Sequence, residues 1–266
     1  MRIGFIGAGR MGIPMIRRLT AAGHDVRALG RGPAARGAIT ATGATAVGSV
    51  PEAGQHAEAV VICVFTDAQA REVCLDSGLL ETMPAGSVLI LHTTGSPDTA
   101  TAVAAAPAAA GRLVVDAPVS GGPHNIADGS LTVFLGGTDA AVARARPVLT
   151  AYADPVLAVG ELGNGQRVKL VNNSLFAAQI GLVTEAVRLA GELGLTEAEV
   201  LSALPHASSS GRAVLSVAAK GSVAAFAESV GEFLRKDIAV VRELTDRLGS
   251  DLGLLDPAIR AAAGSG

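Results

Sequence analysis

Lys169 and Asn173 are the two residues whose types and spacing point most directly to chemistry. They stand four positions apart in a stretch, Gly163 to Asn173, that opens with two glycines and continues as a helical pattern to about Leu193. In an α-helix, positions i and i+4 lie one above the other, so the amine and the amide would share one face. A partly buried lysine has a pKa lowered toward neutrality and can act as a general acid or base. A lone lysine is more often a surface residue, so this hypothesis depends on the rest of the chain.

A glycine-rich turn near the start of the chain is the second candidate for chemistry. The turn Gly7-Ala8-Gly9-Arg10-Met11-Gly12 follows a short apolar strand, Arg2 to Ile6, and precedes a helical pattern, Ile13 to Ala22. With a second strand beginning at Val26, this order is the βαβ unit that binds dinucleotides. The first glycine permits the tight turn, and the second lets the backbone approach a pyrophosphate, which the N–H groups of the helix start would bind. A purely structural turn is the alternative.

The charges after the second strand bear on the choice of cofactor. An NAD site usually places Asp or Glu at the end of this strand to bind the ribose hydroxyl, but Asp25 comes at its beginning. No acidic residue occurs from Val26 to Pro51, whereas Arg31 and Arg36 are present. A guanidinium binds a 2′-phosphate that a carboxylate would repel. The sequence therefore predicts NADP, with NAD possible, and assigns the phosphate contact to Arg31. The alternative is that both arginines are solvated loop residues.

Strands and helices alternate through the first part of the chain. Asp67 to Cys74 is predicted as a helix, and Ser96-Pro97-Asp98 opens another, because Ser caps, Pro fits the first turn and Asp favours the positive end. This second helix is interrupted near Pro107. Near-continuous apolar runs suit a parallel sheet that is covered on both faces. The further predicted strands are Glu58 to Val64, Ser87 to Leu91, Arg112 to Asp116 and Leu131 to Leu135.

Strand signals end near Gly160, and the pattern becomes helical from Gly163 onward. We therefore predict an α/β fold in which a Rossmann-type doubly wound parallel sheet, residues 1–160, binds the dinucleotide. An all-helical domain for substrate binding and dimerisation, residues 161–266, would follow, with the active site in the cleft between the two. The tail from Ala261 to Gly266 is predicted to be frayed. The predicted helices of the second domain are Gln166 to Leu193, Thr196 to Leu204, Ser210 to Ala219 and Glu232 to Leu248.

Composition argues against several classes of function. The chain has 266 residues, of which 49% are hydrophobic and 17% charged, as is typical of a globular protein. A net charge of −3 and the lack of Trp provide neither a basic stripe nor stacking platforms for nucleic acid. No apolar run has the length of a membrane span, and a signal peptide is not expected, because it would need a longer apolar stretch and a small-residue cleavage site. With Cys63 and Cys74 as the two cysteines, a cytoplasmic setting is expected. No metal is expected, because His92 and His206 lack metal-ligand spacing.

Four motifs occur in an order that is itself informative. They are the glycine turn, the segment Asp116-Ala117-Pro118-Val119-Ser120-Gly121-Gly122, the stretch with Gly163, Gly165, Lys169 and Asn173, and the pair Lys236-Asp237. On these motifs the chain resembles the β-hydroxyacid dehydrogenase family over residues 1 to about 255. That family includes 3-hydroxyisobutyrate dehydrogenase and tartronate semialdehyde reductase, and its second domain is similar to the C-terminal domain of 6-phosphogluconate dehydrogenase. The resemblance implies an oxidoreductase that transfers a hydride between NADP(H) and a small β-hydroxy acid or its semialdehyde.

The resemblance also implies roles for individual residues at the substrate. Lys169 would be the general acid or base, and Asn173 would orient its amine or bind a substrate oxygen. Ser120, with the backbone amides of Gly121 and Gly122, would bind the carboxylate of a small substrate.

Two further residues match family positions beside the cofactor. Thr94 would lie near the nicotinamide, and Lys236 would close over the cofactor. Considered alone, Thr94 is equally a plain loop residue and Lys236 is a surface lysine. The run from Gln166 to Leu193 is too long and apolar to be covered easily by one small domain, so a homodimer through the helical half is expected.

The chain departs from the family pattern at three places. Pro123-His124-Asn125 follows Gly122 where small residues are common, which leaves the substrate uncertain and makes His124 either a loop cap or a substrate contact. Gly30 and Gly32 flank Arg31, which weakens one phosphate contact. The short carboxyl end suggests that the family's last helix is missing.

Two alternatives remain open from the sequence. An imine reductase has similar cofactor turns, but such enzymes usually carry Asp or Tyr where Lys169 stands. A cofactor-binding module without turnover would typically lack the lysine that this chain keeps.

Overall fold

The computed structural model describes residues 1–262. They form two compact units, Met1–Lys169 and a second that begins at Leu170. The central sheet of the first unit contains β1 (Arg2–Ile6), β2 (Asp25–Leu29), β3 (Thr45–Val47), β4 (Ala59–Ile62), β5 (Val88–Leu91) and β6 (Leu113–Asp116). All six strands run parallel in the order β3-β2-β1-β4-β5-β6. This doubly wound order confirms the predicted Rossmann-type fold.

Apolar layers cover both faces of the central sheet. In β4, Ala59 and Val61 belong to the layer that contains Ile16, whereas Val60 and Ile62 belong to the opposite layer. All of these side chains are buried. Burial on both faces explains why each strand is a near-continuous apolar run, which is how the sequence revealed it.

Helices connect the strands of the first unit. Ser96 caps one of them as predicted, since its Oγ accepts a hydrogen bond from the Asp98 N–H at 3.2 Å. A 3-10 turn at Pro107–Ala109 follows that helix, and the predicted interruption is confirmed. The predicted helix Asp67 to Cys74 is present but changes into a π-helical turn at Glu72–Asp76. The helices are α1 (Gly12–Ala21), α2 (Pro33–Thr40), α3 (Val50–Gly54), α4 (Asp67–Arg71), α5 (Leu79–Thr82), α6 (Pro97–Ala105), α7 (Pro123–Asp128) and α8 (Asp139–Leu149).

Leu131–Leu135 is a strand, but it does not belong to the parallel sheet as the sequence predicted. It is β8 of a separate three-stranded sheet, antiparallel to β7 (Val119–Ser120) and parallel to β9 (Ala153–Ala158). Buried and half-buried residues alternate along β8, so only one of its faces is fully covered. The sequence did not predict β9, because Asp154 and Pro155 interrupt its strand pattern.

One helix, α9 (Asn164–Glu192), runs from the first unit into the second. Between Leu170 and Ala262 the structure contains no strand, in accord with the predicted all-helical half. The compact units divide after Lys169, whereas the change of pattern places the boundary near Gly160. The remaining helices are α10 (Glu197–Ala203), α11 (Arg212–Lys220), α12 (Val223–Arg247) and α13 (Leu255–Ala262), with a 3-10 turn at Leu204–His206.

Helix α12 begins earlier than the sequence predicted. It starts at Val223 rather than Glu232, because Ser222 caps it and its Oγ accepts a hydrogen bond from the Ala225 N–H at 3.1 Å. None of the described helices is by itself long and apolar enough to cross a membrane. Taken together, α11 and α12 pass that test of length and composition, with a bend of 116° between them.

Helix α13 corrects part of the prediction for the tail. Ala261 and Ala262 belong to this helix rather than to a frayed end, and residues 263–266 of the predicted tail lie outside the described part of the chain. A Cβ on Gly181 of α9 would lie only 1.7 Å from the carbonyl oxygen of Ala258. The glycine therefore lets α13 pack directly on the backbone of α9.

Candidate active site

The glycine turn lies between β1 and α1, at the carboxyl edge of the sheet where the strand order reverses. Gly7 has a φ of +109°, and a Cβ there would lie 2.2 Å from the carbonyl oxygen of Cys63. A Cβ on Gly12 would lie 2.0 Å from the carbonyl oxygen of Gly7. Glycine is required at both positions, because each clash is with a backbone atom that cannot move aside.

Gly9 differs from these two glycines, because a Cβ there would meet no atom within 4 Å. Open space therefore lies over the first turn of α1, whose unpaired N–H groups and positive dipole end attract anions. Ala8 and Met11 are half-buried in the turn, and Arg10 is exposed. The turn has the form that a dinucleotide pyrophosphate requires, since the space in front of Gly9 is open.

Arg31 follows β2 and is exposed, as a residue for the adenosine end of the cofactor must be. Arg36 is engaged locally, because its Nε donates a hydrogen bond to the carbonyl oxygen of Gly30 at 3.2 Å. Glu52 is the first acidic residue after β2, and hydrogen bonds from the Gly48 N–H and the Ser49 hydroxyl lower its pKa. Of the two arginines in the prediction, Arg31 is thus the one that no such backbone contact occupies.

The predicted substrate segment leaves the sheet after β6. Ser120 is half-buried at the end of β7, and Gly121 is exposed with a φ of +128°. The Gly122 N–H donates to Oδ1 of Asn125 at 2.9 Å. His124 is exposed on α7 rather than in a loop. The amide of Gly122 is therefore already bonded, and Asn125, to which the sequence gave no role, shapes this segment.

Asp116, the last residue of β6, connects the substrate segment to the start of α9. Its side chain is fully buried, with Oδ1 accepting from the Gly163 N–H and Oδ2 from the Gln166 N–H, both at 2.7 Å. Burial raises the pKa of this carboxyl, and the two amide hydrogen bonds oppose that rise. The sequence motif contained Asp116, but its side chain had no predicted role.

Asn173 belongs to a buried polar cluster within the second unit. Its Nδ2 donates to Oδ2 of Asp237 at 2.5 Å, and its Oδ1 accepts from Nδ2 of Asn172 at 2.9 Å. Lys236 Nζ lies 2.8 Å from Oδ1 of Asp237. Asp237 thus connects two residues that the sequence singled out, and its own role was missed.

Lys169 is half-buried on α9, one helical turn before Asn173. It stands at the end of the first compact unit. Thr94 is half-buried in the loop after β5, whose neighbouring residue Thr93 accepts a hydrogen bond from Nε2 of Gln166 at 2.8 Å. The Thr94 loop and the start of α9 are therefore joined by a direct contact.

A second buried polar contact lies behind the Thr94 loop. Nδ1 of His92 is 2.5 Å from the carbonyl oxygen of Ala117, and Nε2 is 2.8 Å from the Tyr152 hydroxyl. Burial lowers the pKa of His92 to about 4, against a smaller opposite effect of the Ala117 carbonyl, so the ring is neutral at pH 7. Among residues 1–262, no group of three or more His, Cys, Asp or Glu side chains is arranged to hold a metal ion.

Comparison with known protein families agrees with this architecture. Residues 2–160 match the model of the NAD-binding domain of 6-phosphogluconate dehydrogenase. Residues 163–261 match the model described as NAD-binding of NADP-dependent 3-hydroxyisobutyrate dehydrogenase. The strand order, the glycine turn and these matches define an NAD(P)-binding oxidoreductase of the class that acts on CH–OH groups. The chain belongs to the β-hydroxyacid dehydrogenase family, which confirms the resemblance seen in its motifs.

Individual relatives carry related names. The chain is 37% identical over 194 residues to a probable 3-hydroxyisobutyrate dehydrogenase of Mycobacterium bovis, which covers 73% of this chain and 65% of that protein. It is 35% identical over 217 residues to an NAD-dependent L-serine dehydrogenase of Pseudomonas aeruginosa, covering 81% and 72%. The chain thus spans less than two thirds of the length of the Mycobacterium bovis protein.

Among solved structures, the fold is similar to that of 3-hydroxyisobutyrate dehydrogenase from Mycobacterium tuberculosis with L-serine. The TM-score is 0.85 at 30% identity, and the match covers 98% of this chain and 92% of the other. The predicted NAD(P) cofactor class is confirmed by the family models. The roles of the individual site residues stay predictions.

Proposed function

We propose that this protein transfers a hydride between NADP(H) and a small β-hydroxy acid or its semialdehyde, with Lys169 as the general acid and base. The observation that carries the proposal is the arrangement on α9. Lys169 lies one turn before Asn173, and the side-chain amide of Asn173 donates a hydrogen bond to Asp237. We keep the domain assignment of residues 1–160 for the cofactor and 161–266 for substrate and dimer contacts.

In the direction of reduction, Lys169 donates a proton to the carbonyl oxygen of the semialdehyde, and in oxidation it accepts the proton of the hydroxyl. When bound, the nicotinamide supplies or receives the hydride. Asn173 holds the substrate oxygen or the lysine amine at a fixed distance, because its own amide is anchored on both sides by Asn172 and Asp237. A catalytic group positioned in this way needs no reorganisation in the transition state.

The substrate carboxylate is assigned to Ser120 and the Gly121 amide, with Gly122 contributing through the shape of the turn. Support for a β-hydroxy acid comes from the relatives, because 3-hydroxyisobutyrate and L-serine both carry a carboxylate two carbons from a hydroxyl group. Asn125 fixes the turn by accepting the Gly122 N–H. The size of the substituent on the middle carbon is then the feature that distinguishes members of this substrate class.

Cofactor binding is assigned to the glycine turn and to Arg31, Thr94 and Lys236. The turn fits a pyrophosphate through the open position at Gly9. Arg31 supports NADP as the preferred form, because a guanidinium without a local backbone contact is available for a 2′-phosphate. The family is represented by both NAD- and NADP-dependent enzymes, so NAD stays possible. We also propose a cytoplasmic location, on the cysteine content described above.

A homodimer is supported by an apolar stripe on α9. The members of this stripe are large aliphatic side chains that are exposed at helical spacing, with Leu182 at 60% and Leu193 at 71% exposure. Exposing such an apolar surface to water is unfavourable, and packing against a second copy of the same helix would bury it. The stripe consists of Val168, Val171, Leu175, Leu182 and Leu189 of α9, together with Leu193 directly after the helix.

The proposal is tested by NADPH oxidation with short acid semialdehydes, 2-oxo acids and cyclic imines. We expect turnover of an acid semialdehyde, and we expect Lys169→Ala to lower it by about two to four orders of magnitude. The exposed Lys220→Ala is the matched control and keeps full turnover. Imine reduction that survives Lys169→Ala would indicate an imine reductase instead. NADPH binding without turnover of any compound would indicate a binding module.

A further inference from the structure

Asp116 caps a helix that is distant from it in sequence. Its two carboxylate oxygens accept the N–H groups of Gly163 and Gln166, which are 47 and 50 positions later in the chain. Gly163 directly precedes α9 and Gln166 lies in its first turn, where N–H groups lack partners within the helix. A negative charge at this end also interacts favourably with the helix dipole. The carboxylate thus fixes the start of the helix that carries Lys169.

Two glycines of the catalytic motif are explained by this contact. Gly163 has a φ of +92°, which turns its N–H toward the carboxylate. A Cβ on Gly165 would lie 2.5 Å from the carbonyl oxygen of Phe134 and 2.8 Å from Oδ2 of Asp116. Gly163 thus serves the hydrogen bond to Asp116, and Gly165 serves the close fit of α9 onto β6 and β8.

Gln166 extends the contact to the loop after β5. Its Oε1 accepts the N–H of Gly95 at 3.0 Å, and its Nε2 donates to the carbonyl oxygen of Thr93 at 2.8 Å. These two bonds lie on either side of Thr94, the residue assigned to the nicotinamide. Gln166 is 3% exposed, so water does not compete for these bonds.

We propose that Asp116 and Gln166 are positioning residues, which together hold the Lys169 helix and the Thr94 loop at a fixed distance from each other. This inference rests on the proposed function, since it concerns the place of the proposed acid–base group. Proton transfer and hydride transfer act on adjacent atoms of one substrate bond. The acid–base group and the residues beside the nicotinamide must therefore be held in a fixed arrangement. In this protein the carboxylate of Asp116 and the carboxamide of Gln166, both buried, hold that arrangement by joining β6, α9 and the Thr94 loop.

The variant Asp116→Asn tests the positioning role of Asp116. An amide of the same size offers one acceptor oxygen, so its NH2 group must face one of the two backbone donors. We expect kcat to fall by about 10- to 100-fold, the effect of misplacing a catalytic group by roughly 1 Å. The dissociation constant for NADPH should change by less than about threefold, because the glycine turn is untouched. Asp139→Asn, an exposed carboxylate in the first turn of α8, is the matched control and keeps full activity.

The decisive measurement is a double-mutant cycle with Lys169→Ala, carried out under single-turnover conditions. If Asp116 acts through Lys169, adding Asp116→Asn to Lys169→Ala lowers the hydride-transfer rate no further. A multiplicative loss in the double variant, or an unchanged kcat in the single variant, would overturn the inference. Full activity of Lys169→Ala would instead contradict the proposed function, and the inference would fall with it.

Gln166→Met provides a second route if Asp116→Asn does not fold. Methionine has a similar length but makes neither hydrogen bond, and we expect the same loss of kcat and the same lack of additivity with Lys169→Ala. Gln179→Met, an exposed position of the same helix, is the control. Amide hydrogen exchange gives a readout that does not depend on activity. The Gly163 and Gln166 N–H groups should exchange faster in Asp116→Asn but not in Lys169→Ala, and equal protection in all variants would contradict the capping role.

Discussion

The side-chain amide of Asn173 donates a hydrogen bond of 2.5 Å to the carboxylate of Asp237, and both side chains are buried. The bond joins α9 to α12 within the second unit. It fixes which way the amide of Asn173 is oriented, because a carboxylate accepts only from the NH2 group. The carbonyl oxygen of Asn173 is thereby directed to the other side, toward Asn172.

Replacing Asp237 by Ala should therefore impair catalysis and stability together. A buried Asn173 NH2 group without its acceptor costs about 1–3 kcal/mol, and we expect kcat to fall by about 100-fold because Asn173 loses its fixed position. Steady-state kinetics and urea unfolding measure the two effects. Asp246→Ala, at an exposed position on the same helix, should alter neither. A wild-type kcat in Asp237→Ala would show that the orientation of Asn173 is irrelevant.

Two glycines of α9 should respond to alanine in opposite ways. Gly165→Ala places a methyl group against the Phe134 carbonyl oxygen, so we expect a loss of roughly 1–3 kcal/mol in the free energy of unfolding. Gly191→Ala meets no atom within 4 Å and should stabilise the helix by about 0.5–1 kcal/mol. Thermal or chemical unfolding of both variants decides the matter, and equal effects would contradict the close fit at Gly165.

The buried His92 makes stability depend on pH in a defined window. Its pKa is lowered from 6.5 in the unfolded chain to about 4 in the folded protein, so the unfolded state binds the proton more readily. The contribution of neutral His92 to the free energy of unfolding is fully present above pH 6.5. It is lost as the pH falls toward 4, by roughly 3 kcal/mol in total.

The measurement for His92 is the free energy of unfolding at several pH values, compared between wild type and His92→Gln. The comparison is needed because the raised pKa of Asp116 gives a pH dependence of opposite sign. We expect His92→Gln to be less stable at pH 7 and to show a smaller loss between pH 6.5 and 4.5. Parallel curves for the two proteins would show that His92 does not titrate as described.

Arg31 should discriminate between the two cofactors. A charge-assisted contact to a 2′-phosphate contributes about 1.5–3 kcal/mol, so Arg31→Ala should raise the KM for NADPH by about 10- to 100-fold. The KM for NADH should stay unchanged, since NADH lacks that phosphate. Arg17→Ala, exposed on α1, is the control for a general loss of positive charge. An unchanged KM for NADPH would remove Arg31 from the cofactor site.

The apolar stripe on α9 predicts the oligomeric state. Analytical ultracentrifugation should give the mass of a homodimer, and the double change Leu182→Glu and Leu189→Glu should give a monomer, because it would bury two carboxylates at the interface. Leu215→Glu, a leucine of α11 with 50% exposure, serves as the control that leaves the dimer intact. A monomer already in the wild type would refute the proposal.

The central sheet could be predicted from the sequence because burial on both faces leaves uninterrupted apolar runs, as at Val60, Val61 and Ile62. The second sheet could not, since β8 looks like the parallel strands and β9 contains Asp154 and Pro155. Local signals of this kind report how a strand is covered, and they do not report which strand lies beside it.

The contacts around the candidate site could be predicted only in part, for a similar reason. Lys169, Asn173 and the glycine turn could be singled out because their spacing is regular within a few residues, and their roles stay predictions. Asp116, Gln166 and Asp237 were missed as side chains with a role, because each binds a partner that is far away in the sequence. One signal was available for Asp116: a carboxylate at the end of a buried strand must find hydrogen-bond donors, which here are the N–H groups of Gly163 and Gln166.

The dependence of Asp116 on Gly163 and Gln166 has a consequence for dissecting the protein. A polypeptide ending at Gly160 would contain every strand of both sheets and yet lack both amide donors, leaving a fully buried carboxylate deprived of these two partners. An autonomous nucleotide-binding fragment must therefore extend into the first turn of α9, at least through Gln166. A fragment designed from the change of sequence pattern would end before that helix.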